Sequence, residues 1–273
     1  KVISNLGKPD DAGIESRYIA ARHQLPAEWS EAALQQAREI QGNAAQHLED
    51  LADLTHLPFV TIDAENTRDM DDAIHIETLD SGWRLTVAIA DPTRYIATGS
   101  PLELAARERA NTVYLLGYSI SMLPVELAHD TFSLVPEQNR PALLCQMDID
   151  SNGELKDFSF KEALIRSHFK LSYQNVHEFL EGKTEAIDAP ADIHQMLREL
   201  HRFAVVRGDY RTTHALVMEE KPDYFYQLND QKKIERIEKR QRNLAHKLVE
   251  EALLATNISA GLLFKPHPGY GIF

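Results

Sequence analysis

The sequence is poor in the features that most quickly assign a protein. It contains one cysteine, Cys145, in 273 residues. An internal disulfide and a multi-cysteine zinc site are thereby excluded, which suits a reducing compartment. No run approaches the roughly 18 apolar residues of a membrane span, and the opening residues KVISNLGKPDDAG lack the apolar core of a signal peptide. These absences lead us to expect a cytoplasmic protein with no membrane association. There is no H-E-x-x-H pair and no glycine-rich phosphate loop, so zinc-protease and nucleotide-triphosphate chemistry are not expected. None of the 12 histidines forms a recognisable ligand pair, and His75, His214 and His246 read as packing or surface residues. Repeats and low-complexity tracts are absent. Positive charge is scarce as well: 29 Lys+Arg against 42 Asp+Glu leave a net charge of −13.

What is present is an ordinary globular composition, 43% apolar with 12 glycines and 12 prolines, long enough for one large domain or two ordinary ones. The acidic balance argues at first against nucleic acid, because phosphate binding is driven by Lys and Arg releasing counterions. The signs are segregated, however. Residues 232–247 hold seven Lys/Arg against two Glu, and residues 63–80 hold seven acids against the single base Arg68. The basic run reads either as the lining of an RNA channel or as a solvated helix face.

Residues 1–25 are polar, broken by Gly7, Pro9 and Gly13, and read as a lead-in or linker. From Glu28 to Leu51 apolar residues recur at steps of three and four, which predicts an amphipathic helix. The period then changes to two, predicting strands over 58–65, 71–78 and 83–91, the last two joined by a turn at L-D-S-G. A helix is expected over 102–116, two strands around the turn S-N-G-E, helices at 174–182 and 191–207, and a long helix from 240 to 264. Cys145 falls in an apolar strand. The fold class is α+β, a mostly antiparallel sheet with covering helices, divided into a linker and helix over 1–52 and a larger domain over 53–273.

The sharpest local feature is T61-I-D-A-E-N-T-R-D-M-D-D-A73, which crowds Asp63, Asp69, Asp71 and Asp72 between two apolar strands. Carboxylates about 4 Å apart repel by about 4 kcal/mol at an effective dielectric near 20, so such groups splay into water, take up protons or share a cation. An EF-hand is excluded, because from Asp63 its fifth and sixth positions would be Thr67 and Arg68 and its flanks are strand-like. Two readings remain on charge pattern alone. One is a solvated acidic loop. The other is an oxygen-ligand site for Mg²⁺, with Mn²⁺ as an alternative, of the kind that activates water at a phosphodiester.

The run L57-P-F-V-T-I-D-A-E-N-T-R-D-M-D-D-A73, with V87-A-I-A-D-P-T93, M122-L-P124, R140-P-A-L-L-C145 and H214-A-L-V217, resembles the catalytic (RNB) domain of the exoribonuclease II and ribonuclease R family. The resemblance runs collinearly from about residue 50 to the C-terminus. It implies a Mg²⁺-dependent enzyme that hydrolyses single-stranded RNA from the 3′ end to 5′-mononucleotides. By position it makes Asp63, Asp69, Asp71 and Asp72 the metal and catalytic residues, with loss of Asp71 hurting turnover most. It makes Tyr114 the aromatic against the 3′-terminal nucleotide and Tyr173 the one touching sugar or base nearby. From the residues alone, Tyr114 at an amphipathic helix end reads as core. Glu250 aligns with a family glutamate near the Tyr173 position, which makes it a substrate-binding residue, with Glu251 leaving the register open. One departure is Met218, where the family pattern has an aromatic for base stacking.

The resemblance further implies OB domains on either side and a catalytic domain that continues past Phe273, carrying an arginine near the scissile phosphate. Without those parts, transition-state charge lacks a partner and RNA affinity falls. Two functions follow: part of an exoribonuclease, or a non-catalytic RNA-binding or interaction module on the same fold. The four acids favour the first, since a binding surface gains nothing from negative charge where phosphates sit. Mg²⁺ is expected to raise the melting temperature of the wild-type chain through linkage to the folded state. An equal rise in Asp71→Asn, measured by differential scanning fluorimetry, removes the acids from the assignment.

Overall fold

The computed structural model describes residues 5–46, 48–215, 223–267 and 269–270. The chain forms two compact units, each discontinuous in sequence and cut differently from the 1–52 and 53–273 boundaries. One comprises Lys1–Ala44, Thr93–Thr131 and Glu220–Gln241; the other comprises Ala45–Pro92, Phe132–Glu219 and Arg242–Phe273.

The larger unit is a six-stranded sheet: β1 (Ala52–Asp53), β2 (Phe59–Asp63), β3 (Asp72–Leu79), β4 (Gly82–Ala90), β7 (Asn139–Asp150) and β8 (Leu155–Ser172). The order is β1-β8-β2-β3-β4-β7, and β7 also pairs with β8, so the hydrogen-bond ladder returns on itself. This is possible because β8 is long enough to serve two partners: it pairs antiparallel with β7 up to Arg166, then parallel with β2 from Ser167 to Ser172. The pairing is antiparallel except where β8 meets β1 and β2. β2, β3 and β4 fall within a residue or two of the segments their period-two patterning marks.

β-branched and large apolar residues set the two faces. Val60, Ile62, Ile74, Ile76, Trp83, Leu85 and Val87 point into one core. Three helices cover it: α4 (Tyr173–Leu180), α5 (Ala191–His214) and α6 (Leu244–Phe264), through residues such as Val176, Phe203 and Leu248. Phe59, Ala73, Ala88 and Leu144 form a second core on the opposite face with Met70 and Leu134. Because both faces of β2 are covered, it reads as an unbroken apolar run rather than an alternating one. Cys145 is buried in β7, as its apolar surroundings imply, and burial pushes its thiol up to about 11.

β3 and β4 join through Asp80 and Ser81, with Leu79 opposite Gly82. Gly82 has φ +143, and a Cβ there would collide with the carbonyl oxygen of Ile149 on β7. At the β7–β8 turn, Asp150 accepts from the backbone N–H of Asn152 and Glu154, both at 2.9 Å.

The second unit holds α1 (Ile14–Arg22), α2 (Glu31–Asn43), α3 (Pro101–Arg109), the hairpin β5 (Val113–Leu115) with β6 (Tyr118–Ile120), and the hairpin β9 (Asp223–Leu228) with β10 (Ile234–Arg240). Arg109 is buried, donates to the carbonyls of Pro26 and Glu28, and lies 3.7 Å over the Trp29 ring. Ser30 and Ser100 cap α2 and α3 through the N–H groups of Ala33 and Glu103.

Several expectations are corrected here. The lead-in contains a helix, α1. The helix expected over 28–51 is only α2, which ends at Asn43 after Gly42, a weak helix former. The helix expected to 116 stops at Arg109, where Ala110 turns to φ +64, and Tyr114 lies on β5. The basic run is not one helix face: its largest part is β10, and α6 starts only at Leu244. Among the described residues no helix is long and apolar enough to cross a membrane.

Gly82→Ala should destabilise the chain by more than about 1 kcal/mol, since both φ and space forbid a side chain. Gly42→Ala, with nothing within 4 Å of the new methyl, should stabilise by about 0.5 kcal/mol. Urea titrations with unchanged m-values measure both.

Candidate functional site

The four aspartates sit where β2 ends and β3 begins. Asp63 is the last residue of β2, opposite Ser172 of β8; Asp72 is the first of β3, opposite Ile89. Asp69 and Asp71 lie on the connection, which is fastened at five places. The N–H of Thr67 closes a turn on Ala64 at 3.0 Å. Lys170 Nζ donates to the carbonyls of Glu65 at 3.1 Å and Thr67 at 2.6 Å. Buried Ser133 donates through Oγ to the Arg68 carbonyl at 2.8 Å and accepts from the Met70 N–H at 3.0 Å. The N–H of Leu134 reaches the Met70 carbonyl, and the N–H of Ala90 reaches that of Asp71. Met70 itself is sunk in the second core, so Asp69 and Asp71 flank a buried anchor.

Electrostatics knit the acids together. Burial pushes the Asp63 carboxyl up to about 7; Asp72 is the next cause, Asp71 and Asp69 add to it, and Lys170 opposes. Burial and then Asp71 push Asp72 up to about 6. Asp71, though its residue surface is exposed, is raised by desolvation of its carboxyl and by Asp69. Asp63, Asp71 and Asp72 thus each feel at least one other acid of the group, which the solvated-loop reading does not provide.

Tyr173, the first residue of α4, belongs to the same place. Burial first, then Asp63 and Asp72, push its phenol up to about 12, with Arg242 acting the other way. His246 covers one ring face, with centroids 4.0 Å apart and planes 12° apart. Asn243 Nδ2 donates to the Tyr173 carbonyl at 3.2 Å and its Oδ1 caps α6. Glu250 pairs with Arg242 and lies 3.8 Å from Arg211; Glu251 is buried and pairs with Arg211 at 2.5 Å. The structure therefore assembles the four aspartates, Tyr173 and, through Arg242, Glu250 in one unit. Tyr114 belongs to the other unit and is 75% exposed, which removes the reading of it as a core residue. Met218, with Leu216 and Val217, lies outside the described residues.

Sequence reasoning did not find Ser133, Lys170, Arg242 or Asn243, and took His246 for an ordinary packing residue. Ser133 and Lys170 are separated from the loop by 63 and 103 residues or more, so no local pattern marks them. The Asn243 cap, with a histidine three residues on, was the one local signal available.

The donor set suits a hard cation, since every candidate ligand is oxygen, and burial followed by the neighbouring acids raises Asp63 and Asp72. Among the described residues no three or more His, Cys, Asp or Glu side chains form a ready-made ligand cage.

Residues 51–273 match the RNB domain family. The chain is a member of that family. Exoribonuclease 2 of Haemophilus ducreyi is 41% identical over 280 residues, covering all of this chain and 41% of its own length. The chain spans about two fifths or less of the curated relatives it matches. Among solved structures, Mycoplasma genitalium RNase R in complex with ribose methylated single-stranded RNA superposes with a TM-score of 0.89 at 25% identity, over 96% of this chain and 41% of that one. The fold alone is shared with yeast Ssd1, described as a pseudonuclease, at 18% identity and a TM-score of 0.63 over 82% of this chain and 27% of Ssd1.

Both Asp63 and Asp72 hold their protons more tightly folded than unfolded, where an aspartate titrates near 3.9. Between about pH 4 and pH 7 the metal-free folded state therefore binds more protons than the unfolded one, and stability falls as pH rises through that window. Asp63→Asn should flatten this fall and, in EDTA at pH 8, exceed wild type by on the order of 2 kcal/mol. Thermal melts at pH 5 and pH 8 measure it.

Proposed function

We propose that the chain carries the carboxylate centre of a Mg²⁺-dependent 3′→5′ exoribonuclease that hydrolyses single-stranded RNA to 5′-mononucleotides in the cytoplasm. The observation that carries this is the coupling of Asp63, Asp69, Asp71 and Asp72 at the β2–β3 junction. The names of the relatives support it, as do the Mycoplasma genitalium RNase R structures with single-stranded and double-stranded RNA.

Asp63, Asp69, Asp71 and Asp72 would hold Mg²⁺, with Mn²⁺ as an alternative. When bound, such an ion polarises the phosphodiester and lowers the pKa of a water. The chain's own residues do the rest. Ser133 and Lys170 fix the loop that presents Asp69 and Asp71. Asp71, the exposed one of the four, would orient the attacking water and accept its proton. Tyr173 stays protonated at any working pH, so its hydroxyl donates a hydrogen bond to a sugar or phosphate oxygen. Tyr114 offers a stacking face, worth about 1–3 kcal/mol per base and indifferent to base identity. Flanking OB domains of the parent chain would supply further RNA affinity.

A gel assay with single-stranded RNA labelled on its 3′-terminal nucleotide tests the reading. In Mg²⁺ the label should appear at once as a mononucleotide, without a ladder of labelled fragments. Asp71→Asn should lower the rate about 10²–10⁴-fold while Kd for RNA, measured in EDTA, changes less than about twofold. Labelled oligonucleotide products, or full activity in Asp71→Asn, overturn it.

A further inference from the structure

Within the second unit, three elements from distant parts of the chain meet at the tip of the β5–β6 hairpin. α1 supplies Ser16, which with Ala20 is all that this helix buries. Ser16 Oγ donates to the carbonyl of Leu116 at 2.7 Å, and Tyr118 Oη donates to the carbonyl of Ser16 at 3.4 Å. The turn between Leu116 and Tyr118 passes through Gly117 at φ +86, where a Cβ would lie 3.2 Å from Leu228 Cδ1 of β9. The β9–β10 turn is tied back to α1 in its own right, Lys233 Nζ meeting Glu15 Oε1 at 2.5 Å.

The root of the hairpin is fixed as well. Arg109 is held by the carbonyls of Pro26 and Glu28. Ala110 then takes φ +64, and the N–H of Asn111 turns back on the Arg109 carbonyl at 2.8 Å. An alanine keeps such a backbone only where its surroundings impose it. Thr112 Oγ1 accepts from the N–H of Met122 at 3.1 Å and draws the two ends of the hairpin together.

Two strands of three residues do not persist unsupported, so these contacts are what make the hairpin a fixed object. Apolar packing of α1 does not account for them, because that helix has no apolar stripe. Tyr114 sits between root and tip, opposite Ser119, with 75% of its surface exposed. A side chain so exposed takes its place from the backbone beneath it. An aromatic ring held in its binding orientation beforehand loses less freedom when a base stacks on it, and binds more tightly for that reason.

We infer that Ser16 is a positioning residue for Tyr114: through the Leu116 carbonyl it holds the β5–β6 hairpin so that the Tyr114 ring meets a base of single-stranded RNA already oriented. The inference rests on the reading of Tyr114 as a stacking face and adds what fixes that face. Ser16 itself is buried and does not touch the RNA.

The test is fluorescence anisotropy of a labelled single-stranded RNA with the full chain, in EDTA and at one salt concentration, since salt alone shifts such affinities. Tyr114→Ala should weaken Kd about 5–100-fold, the range of one lost base stack. Ser16→Ala should weaken Kd about 3–10-fold in the wild-type background but less than about 1.5-fold on top of Tyr114→Ala, the non-additivity of a residue acting through another. A general loosening of the fold would instead cost the same in both backgrounds. If thermal melts show Ser16→Ala unfolded, Tyr118→Phe, which removes the reciprocal bond to Ser16, takes its place and should weaken Kd about twofold with the same dependence on Tyr114. Additive losses, or a wild-type Kd in a folded Ser16→Ala beside a weakened Tyr114→Ala, overturn the inference and leave the exoribonuclease reading standing. A wild-type Kd in Tyr114→Ala removes that tyrosine from RNA binding and the inference with it. Failure of the wild-type chain to bind the RNA at all overturns the inference and the exoribonuclease reading together.

Discussion

Like charges held close together are the constraint around which this chain is organised. Four carboxylates gather at one strand junction, and burial first, then their mutual repulsion, raises the proton affinities of Asp63, Asp71 and Asp72. A loop carrying such charges would swing into water if tied only at its ends. It is tied along its length instead: Lys170 on its first half, Ser133 on its second, Met70 driven into apolar packing between Asp69 and Asp71. The other fasteners, Ser133 and Met70, neutralise no carboxylate. Only Lys170 opposes the charge of Asp63 directly. The negative potential is thus preserved while the geometry is fixed by other means.

The elements around the junction are ordered by the same need. β2 ends in Asp63 and is covered on both faces, which leaves it little freedom to shift. β8 runs beside it and delivers Tyr173 immediately after the ladder ends. α6 begins at Asn243, so its cap, His246 and Arg242 are gathered at the Tyr173 end rather than elsewhere along the helix.

How legible this was in the sequence depends on whether the cause of each feature is local. β2, β3 and β4 were legible because alternation and β-branching are local, and the four acids because they lie within ten residues. β10 was hidden by a register shift between Ile234 and Arg236 that breaks the period of two, leaving only its charge visible. The stop of α3 was hidden because Ala110 takes a positive φ with no glycine to announce it. α1 was missed because it buries only Ser16 and Ala20 and so carries no apolar stripe. The site was read as a set of acids but not as a fastened loop. Ser133 and Lys170 act across long stretches of chain, and serine or lysine at those positions has no pattern of its own.

The discontinuity of the two units sets the order in which the molecule can be built. β4 pairs along its whole length with β7, yet residues 93–131 intervene and belong to the other unit. During synthesis β4 therefore waits with an open edge until residue 150 has left the ribosome, and β2 waits longer still for the last third of β8. α6, which closes the main core, comes after another excursion, over 220–241. A nascent chain of this design exposes unpaired strand edges and apolar faces for most of its translation. Chaperone demand during synthesis is built into its topology, independent of how stable the finished fold becomes.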